Sequence, residues 1–383
     1  MKKLKILHII TYLPIGGAQD NTLLTVEGLD KDCYDITLIC GKRGEWIDRA
    51  LSIKGIKIHF INELIRKIHI FYDVIALLKM YHFIKKGKFK IVHTHSSKAG
   101  FSGRIAAYIA GVPVIIHTLH GFPFHDFMYP AERMFYIYLE RFLSKLSGKI
   151  ITVSHLNREK AIRLKLNRPE KFINIYSGIN FRRFNHSVNV VNKKKELGIS
   201  KKDQVVGMVG RLSEQKAPQY FIQAIPTVLQ VHPHVHFLLV GDGELKNNIM
   251  KMTEKLNISN HVFFLGFRND VPEILKIFNV FVLPSLWEGL GRSLTEAMYS
   301  ACAVIGTAVE GVPELIINGK TGYLVQPKDS DAIAQRILDY LSNPRKAKQI
   351  GNNARKRVMK DFDVNIMINK IDQLYQNMLN KIN

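Results

Sequence analysis

Residues 285–298 read SLWEGLGRSLTEAM and set Glu288 and Glu296 eight positions apart, with two glycines and an arginine between them. Glycine weakens a helix, so Gly289 and Gly291 mark a loop that turns into a helix rather than a helix throughout. The stretch follows the β-type run VFVLP, which places Glu288 at a strand's carboxyl end and residues 289–292 at the start of the next helix. Free backbone N–H groups and the helix dipole there suit phosphate or sugar oxygens. A carboxylate grips vicinal hydroxyls, so one glutamate could take a ribose and the other a second sugar. The competing reading makes Glu296 a solvated helix residue and Glu288 a carboxylate at a helix start.

A second loop adds cations. The strand QVVGMVG runs into Arg211, and RLSEQKAP leads into a helix at Ala217. An arginine fork and the point charge of Lys216 on one strand-to-helix loop can hold a diphosphate and stabilise it as it departs, without a metal. A solvated basic loop is the plainer alternative. Earlier in the chain, Gly16 and Gly17 follow the first strand and precede a helix near Ala18, which lets backbone approach a ligand closely. His120, in TLHGFPFH, ends the strand VIIHTL. His93 and His95 in IVHTH are expected on opposite faces of their strand, which argues against a shared metal. Asp361 and Asp363 in KDFDV have a D-x-D spacing, but they open a C-terminal helical segment where Asp363 reads as a cap. No metal site is expected.

These residues need elements to position them. Short β-rich runs (LKILHII, DITLIC, IVHTH, VIIHTLH, IITVS) alternate with helical patterns in the first half. QVVGMVG, VHFLLVG, VFFLG, VFVLP and AVIGT repeat the scheme in the second. Strands alternating with helices imply βαβ units and parallel sheets, here in two doubly wound α/β domains. In open α/β sheets ligands sit beyond the carboxyl ends of the strands, so two such domains would face each other across a cleft. The break falls near residues 176–187, before the lysine-rich NVVNKKKELGISKKD.

Composition fits this picture. The 383 residues suffice for two ordinary domains, with 46% hydrophobic and 23% charged residues. Lys and Arg outnumber Asp and Glu by 55 to 32, a net charge of +23, divided as +14 over residues 1–180 and +9 over the rest. Acidic partners follow: nucleic acid, an anionic membrane or phosphorylated substrates. Cys33, Cys40 and Cys302 have neither disulfide-like nor metal-like spacing and read as buried thiols of a reducing compartment. The opening MKKLKILHII imitates a signal peptide but passes straight into TYLPIGGAQ, so a first strand is expected. The longest uncharged stretch, residues 105–125, is broken by GVP and fits a helix plus a buried strand better than a membrane span.

Taken jointly, the R-x-x-x-x-K of Arg211 and Lys216, the spaced pair Glu288 and Glu296, the early GG, HGFPFH, LGFRNDV and EGVPELIINGKTGYLV resemble the family 4 retaining glycosyltransferases over nearly the whole chain. The resemblance implies a GT-B fold of two Rossmann-like domains: an acceptor-side domain over residues 1–180, a nucleotide-sugar domain over 181–361, and a last helix, 362–383, crossing back to the first. It further implies that Gly210, Arg211 and Lys216 lie at the donor diphosphate and Glu296 at the ribose hydroxyls. Glu288 and the backbone of Gly289, Leu290, Gly291 and Arg292 would hold the transferred sugar. Gly16 and Gly17 would close on the phosphates, His120 would touch the sugar, and Phe267 and Arg268 would meet the base, mostly through backbone. Relatives often carry Glu where this chain has Gln19.

The expectation is therefore a metal-independent retaining hexosyltransferase without a cofactor, using a UDP-sugar in preference to a GDP-sugar. Front-face displacement is favoured, with Glu288 kept as a candidate nucleophile. The acceptor is expected to be a lipid-linked or growing surface glycan, and the place the cytoplasm or the inner membrane face. RMFYIYLERFLSKLSGK (133–149) and IKKGKFK (84–90) interleave aromatic and basic residues in a way that suits an anionic membrane. A helix packing its aromatics inward is the alternative there. Two rival functions stay open. A glycoside hydrolase would use the paired glutamates but has no reason to keep Arg211 and Lys216. A nucleic-acid-binding protein would explain the charge, yet no binding module is recognisable, and no nucleic acid partner is expected.

Overall fold

In the computed structural model, which describes residues 3–381, the apolar runs form thirteen strands in two wholly parallel sheets. The chain divides into two units, one holding the described residues up to Gly178 and from Val364 onward, the other Ile179–Asp363.

The first unit carries β1 (Leu4–Ile9), β2 (Tyr34–Cys40), β3 (Ile56–Phe60), β4 (Ile91–His95), β5 (Val114–Leu119), β6 (Lys149–Thr152) and β7 (Phe172–Asn174), in the order β3-β2-β1-β4-β5-β6-β7. Its central strands are buried on both faces, so the histidines and threonines that interrupt their apolar runs are buried with them. Ile6, Ile91 and Ile116 pack on one side with Leu24 and Val26 of the helix Gly17–Gly28 and Met367, Ile371 and Tyr375 of the helix Val364–Leu379. On the other side, Leu7, Ile9, Val92 and Ile115 pack with Met80 and Ile84 of the helix Ile70–Gly87 and Ala106 of the helix Ser97–Ile109. The uncharged stretch from Ile105 is thus the end of one helix and then β5. No described helix is long and apolar enough to cross a membrane.

The second unit carries β8 (Val205–Val209), β9 (His236–Val240), β10 (Val262–Gly266), β11 (Val280–Leu283), β12 (Ala303–Thr307) and β13 (Tyr323–Val325), in the order β10-β9-β8-β11-β12-β13. Strand order reverses between β8 and β11. At such a switch point the two flanking loops diverge and leave a crevice at the carboxyl ends.

Two expectations need correction. His93 and His95 share a face of β4, because successive side chains of a strand alternate and residues two apart therefore point the same way. Their ring centroids are 4.2 Å apart. Cys33 is exposed, since it lies in the turn ahead of β2, where its thiol donates to Asp30 Oδ2 at 3.2 Å; Cys40 and Cys302 are buried.

Candidate active site

The switch point of the second unit is where the charged loops meet. After β8 the chain passes Gly210, Arg211 and Lys216 and enters the helix Pro218–Val231 through Ala217, whose left-handed backbone turns Lys216 back over Gly210. After β11 it passes Ser285, Trp287 and Glu288 and enters the helix Arg292–Tyr299 through Gly291. With φ at +97°, Gly291 occupies the left-handed region that a side chain would strain. The helix begins at Arg292, so Glu296 lies in its second turn, slightly nearer the start than the sequence suggests.

Backbone and side chains stitch these two loops together. Leu286 N–H donates to Gln215 O at 2.8 Å, and Gln215 Nε2 donates to Trp287 O at 3.1 Å. Lys216 Nζ pairs directly with Glu288 Oε1, and Ser285 Oγ donates to the same oxygen at 2.8 Å. Glu288 is almost wholly buried, so its charge is tolerable only because these partners replace water. The cation expected at a phosphate and the carboxylate expected at a sugar are therefore partners of each other.

A third loop, after β12, completes the arrangement, with residues outside the expected set. Glu310 Oε2 accepts from Glu288 N–H at 3.0 Å, and Thr307 Oγ1 donates to Ser285 O. Gly311 lies so close to the glycine loop that a Cβ there would sit 2.3 Å from Gly289 O. The signal was present: EGVPE follows a strand next to β11, and ligand loops cluster at adjacent carboxyl ends.

The remaining expected residues are placed as follows. Leu290 is buried with Gly289 and Gly291. Arg292 Nε lies 3.3 Å from Glu296 Oε1, one helical turn on. Arg211 is half-buried and makes no ion pair among the described residues. Phe267, directly after β10, is 54% exposed. Arg268 is committed through its side chain: Nε donates to Asp270 Oδ1 at 2.7 Å and Nη2 to Glu196 Oε1 at 2.8 Å. The Arg268 guanidinium holds the Asp270 carboxyl well below the usual carboxylate range.

In the first unit, Gly16 caps the helix that begins at Gly17, with extended backbone. His120 follows β5, half-buried, with Nε2 3.2 Å from His95 Nδ1. Desolvation holds its imidazole well below its ordinary pKa, so it acts as a neutral group. His8, His93 and His95 bring their ring nitrogens within 4.8 Å of one another and form the one described group with metal-like spacing; Asp361 and Asp363 belong to none. Asp361 ends the helix Pro344–Asp361 and Asp363 precedes the helix Val364–Leu379.

Two doubly wound units, with a cation-bearing and a carboxylate-bearing loop meeting at the switch point of the second, define a GT-B glycosyltransferase. Comparison with known proteins agrees. Residues 15–183 match the family model "Glycosyltransferase Family 4" and residues 190–357 match "Glycosyl transferases group 1". The chain is 33% identical over 381 residues to the UDP-Gal:alpha-D-GlcNAc-diphosphoundecaprenol alpha-1,3-galactosyltransferase of Escherichia coli, covering 98% of both chains. It is 28% identical to the capsular polysaccharide biosynthesis glycosyltransferase CapM of Staphylococcus aureus, covering 99% of this chain and 98% of that one. Among solved structures, Anabaena HepE in complex with UDP and glucose superposes with a TM-score of 0.85 at 22% identity, over 98% of this chain and 100% of that one. WaaG, a glycosyltransferase involved in lipopolysaccharide biosynthesis, does so at 0.78 and 16%, over 97% and 99%. The chain belongs to glycosyltransferase family 4.

Proposed function

We propose that this glycosyltransferase is retaining and metal-independent, and moves a hexose or N-acetylhexosamine from a UDP-sugar to a lipid-linked or growing cell-surface glycan. The observation that carries the reading is the junction of the Arg211–Lys216 loop with the Glu288 loop at the switch point of β8 and β11. Arg211 and Lys216 meet the diphosphate and stabilise the charge that grows on it as the glycosidic bond breaks, the task a divalent cation performs elsewhere. Glu296 takes the ribose hydroxyls. Glu288, fixed by Ser285, Lys216 and the Glu310-braced backbone, orients the transferred sugar. Front-face displacement is the favoured route: the leaving phosphate oxygen takes the acceptor's proton on the face the nucleotide departs from, so configuration is kept. Gly16 and Gly17 contribute to the phosphates and His120 to the sugar, an assignment resting on family resemblance.

Support for a lipid-linked acceptor comes from the Escherichia coli relative, whose name specifies UDP-Gal and GlcNAc-diphosphoundecaprenol. It also comes from the helix Pro130–Lys145, which buries Ile137 and Leu143 but turns Phe135, Tyr138 and Phe142 outward beside Arg133, Arg141 and Lys145. Lys85, Lys86 and Lys88 are exposed as well. Such a face suits peripheral contact with the anionic inner leaflet.

The test is transfer from a panel of UDP- and GDP-sugars to a polyprenyl-diphosphate-linked N-acetylhexosamine, in EDTA, with the product anomer read by NMR. Transfer from a UDP-sugar with retained configuration is expected. Inversion, activity restored only by Mn²⁺ or Mg²⁺, or glycan cleavage without nucleotide would each overturn the reading.

A further inference from the structure

Behind His120, five buried side chains form one unbroken hydrogen-bonded chain. His95 joins His120 Nε2 through Nδ1 at 3.2 Å and His8 Nδ1 through Nε2 at 3.1 Å. His8 Nε2 lies 3.3 Å from Tyr375 Oη, which lies 2.6 Å from His93 Nδ1. His93 Nε2 ends the chain at Thr118 Oγ1, 2.7 Å away. Every ring nitrogen of His8, His93 and His95 is engaged. Burial pushes His8 down to about 3 and holds His93 and His95 well below their ordinary value, so all three are neutral. A neutral imidazole has one N–H and one bare nitrogen. At each imidazole the direction of one bond therefore fixes the next. The buried Tyr375 passes it on because accepting from both neighbours would strand its own hydrogen, which leaves two polarities that satisfy Tyr375.

Thr118 decides between them. It is buried, and its hydroxyl makes no other hydrogen bond among the described residues. Were it to accept from His93, its own hydrogen would be stranded in a dry interior, a costly state for a donor. When it donates to His93 Nε2, everything downstream is satisfied. His93 Nδ1–H donates to Tyr375, Tyr375 Oη–H to His8 Nε2, His8 Nδ1–H to His95 Nε2, and His95 Nδ1–H to His120 Nε2.

We propose that Thr118, His93, Tyr375, His8 and His95 are a positioning relay that locks His120 in its Nδ1–H tautomer, presenting a hydrogen-bond donor to a ligand oxygen. The last clause rests on the sugar-contacting role assigned to His120 above; the lock itself does not. No protein atom among the described residues engages Nδ1 of His120, so the fixed proton is available to a ligand. A carbohydrate hydroxyl oxygen is the acceptor that matches.

Long-range ¹H–¹⁵N NMR of the full-length protein with ¹⁵N-labelled imidazoles reads the tautomer directly, with His120→Ala giving the assignment. The wild type should show His120 as one neutral tautomer with the proton on Nδ1. Tyr375→Phe keeps the volume but cuts the chain, and should give a mixture of the two tautomers at His120. Thr118→Val should shift the same signals, and Thr118→Ser should restore them. An Nε2–H tautomer in the wild type, or signals unmoved by both Tyr375→Phe and Thr118→Val, would overturn the relay. So would one equivalent of zinc or another metal in the purified protein, because a metal would take the nitrogens the chain needs.

In turnover with the best nucleotide sugar, Tyr375→Phe should lower kcat several-fold with KM little changed, and should have no further effect in a His120→Ala background. Equal losses in both backgrounds would reduce Tyr375 to a packing role and overturn the relay's functional part. A locked tautomer in a protein that transfers no sugar would support the relay and contradict the proposed function instead.

Discussion

Glu288 and Glu296 are both carboxylates on one loop-helix segment, yet their surroundings differ enough to make them fail differently. Glu288 is buried against Lys216 and Ser285, while Glu296 sits a helical turn beyond Arg292 at 15% side-chain exposure. Glu296→Gln loses a charge-assisted contact to a ribose, about 1–3 kcal/mol, and should weaken UDP and the intact donor alike. Glu288→Gln should depress transfer or loosen the choice of donor sugar without lowering UDP affinity, since it frees Lys216 for the diphosphate. Calorimetric titration with UDP and with the donor compares them, and equal losses of UDP affinity would show that the roles are not divided. Residue types and spacing made these two glutamates, Arg211 and Lys216 legible. They did not reveal the Lys216–Glu288 ion pair, which depends on two loops 72 residues apart being stitched together. The cluster around His8 becomes legible only when His93 and His95 are placed on one face, as residues two apart in a strand are.

At the scale of elements, the strands found from sequence are mainly the interior ones, whose burial on both faces produces long apolar runs. Those passed over, β3, β7 and β13, are all sheet edges. β3 alternates half-buried and exposed residues, and β7 and β13 are three residues long. Their signal is weak because an edge strand has one neighbour and need not be apolar throughout. The loop after β12 braces the same site through Glu310, and Gly311 tests its importance. Its backbone conformation suits any residue, so Gly311→Ala isolates the clash of a Cβ with Gly289 O. Overpacking of this kind costs about 1–3 kcal/mol and should displace the glycine loop, lowering donor affinity together with the melting temperature. Wild-type donor affinity at an unchanged melting temperature would mean that the loop does not shape the site.

For the molecule as a whole, the buried histidines predict marked acid sensitivity. Desolvation is the leading cause holding His8, His93, His95 and His117 neutral in the fold. In the unfolded chain each would titrate near pH 6.5. Stability should be complete above that pH and fall as the pH drops towards the folded values, about 3 for His8. Each such histidine adds a slope of at most about 1.4 kcal/mol per pH unit, reached where the unfolded chain is protonated and the fold is not. Denaturant melts at pH 7.5, 6 and 5 should show the loss; a flat profile would contradict neutral burial.

The central claim at this scale is that the loops after β8 and β11 hold a nucleoside diphosphate without a metal, and calorimetric titration of the whole protein with UDP in EDTA tests it most directly. Saturable binding at one site is predicted. Arg211→Ala and Lys216→Ala should each weaken it about 10- to 100-fold, the value of one charge-assisted hydrogen bond. Binding that vanishes in EDTA and returns with Mn²⁺, or that neither substitution alters, would contradict the account.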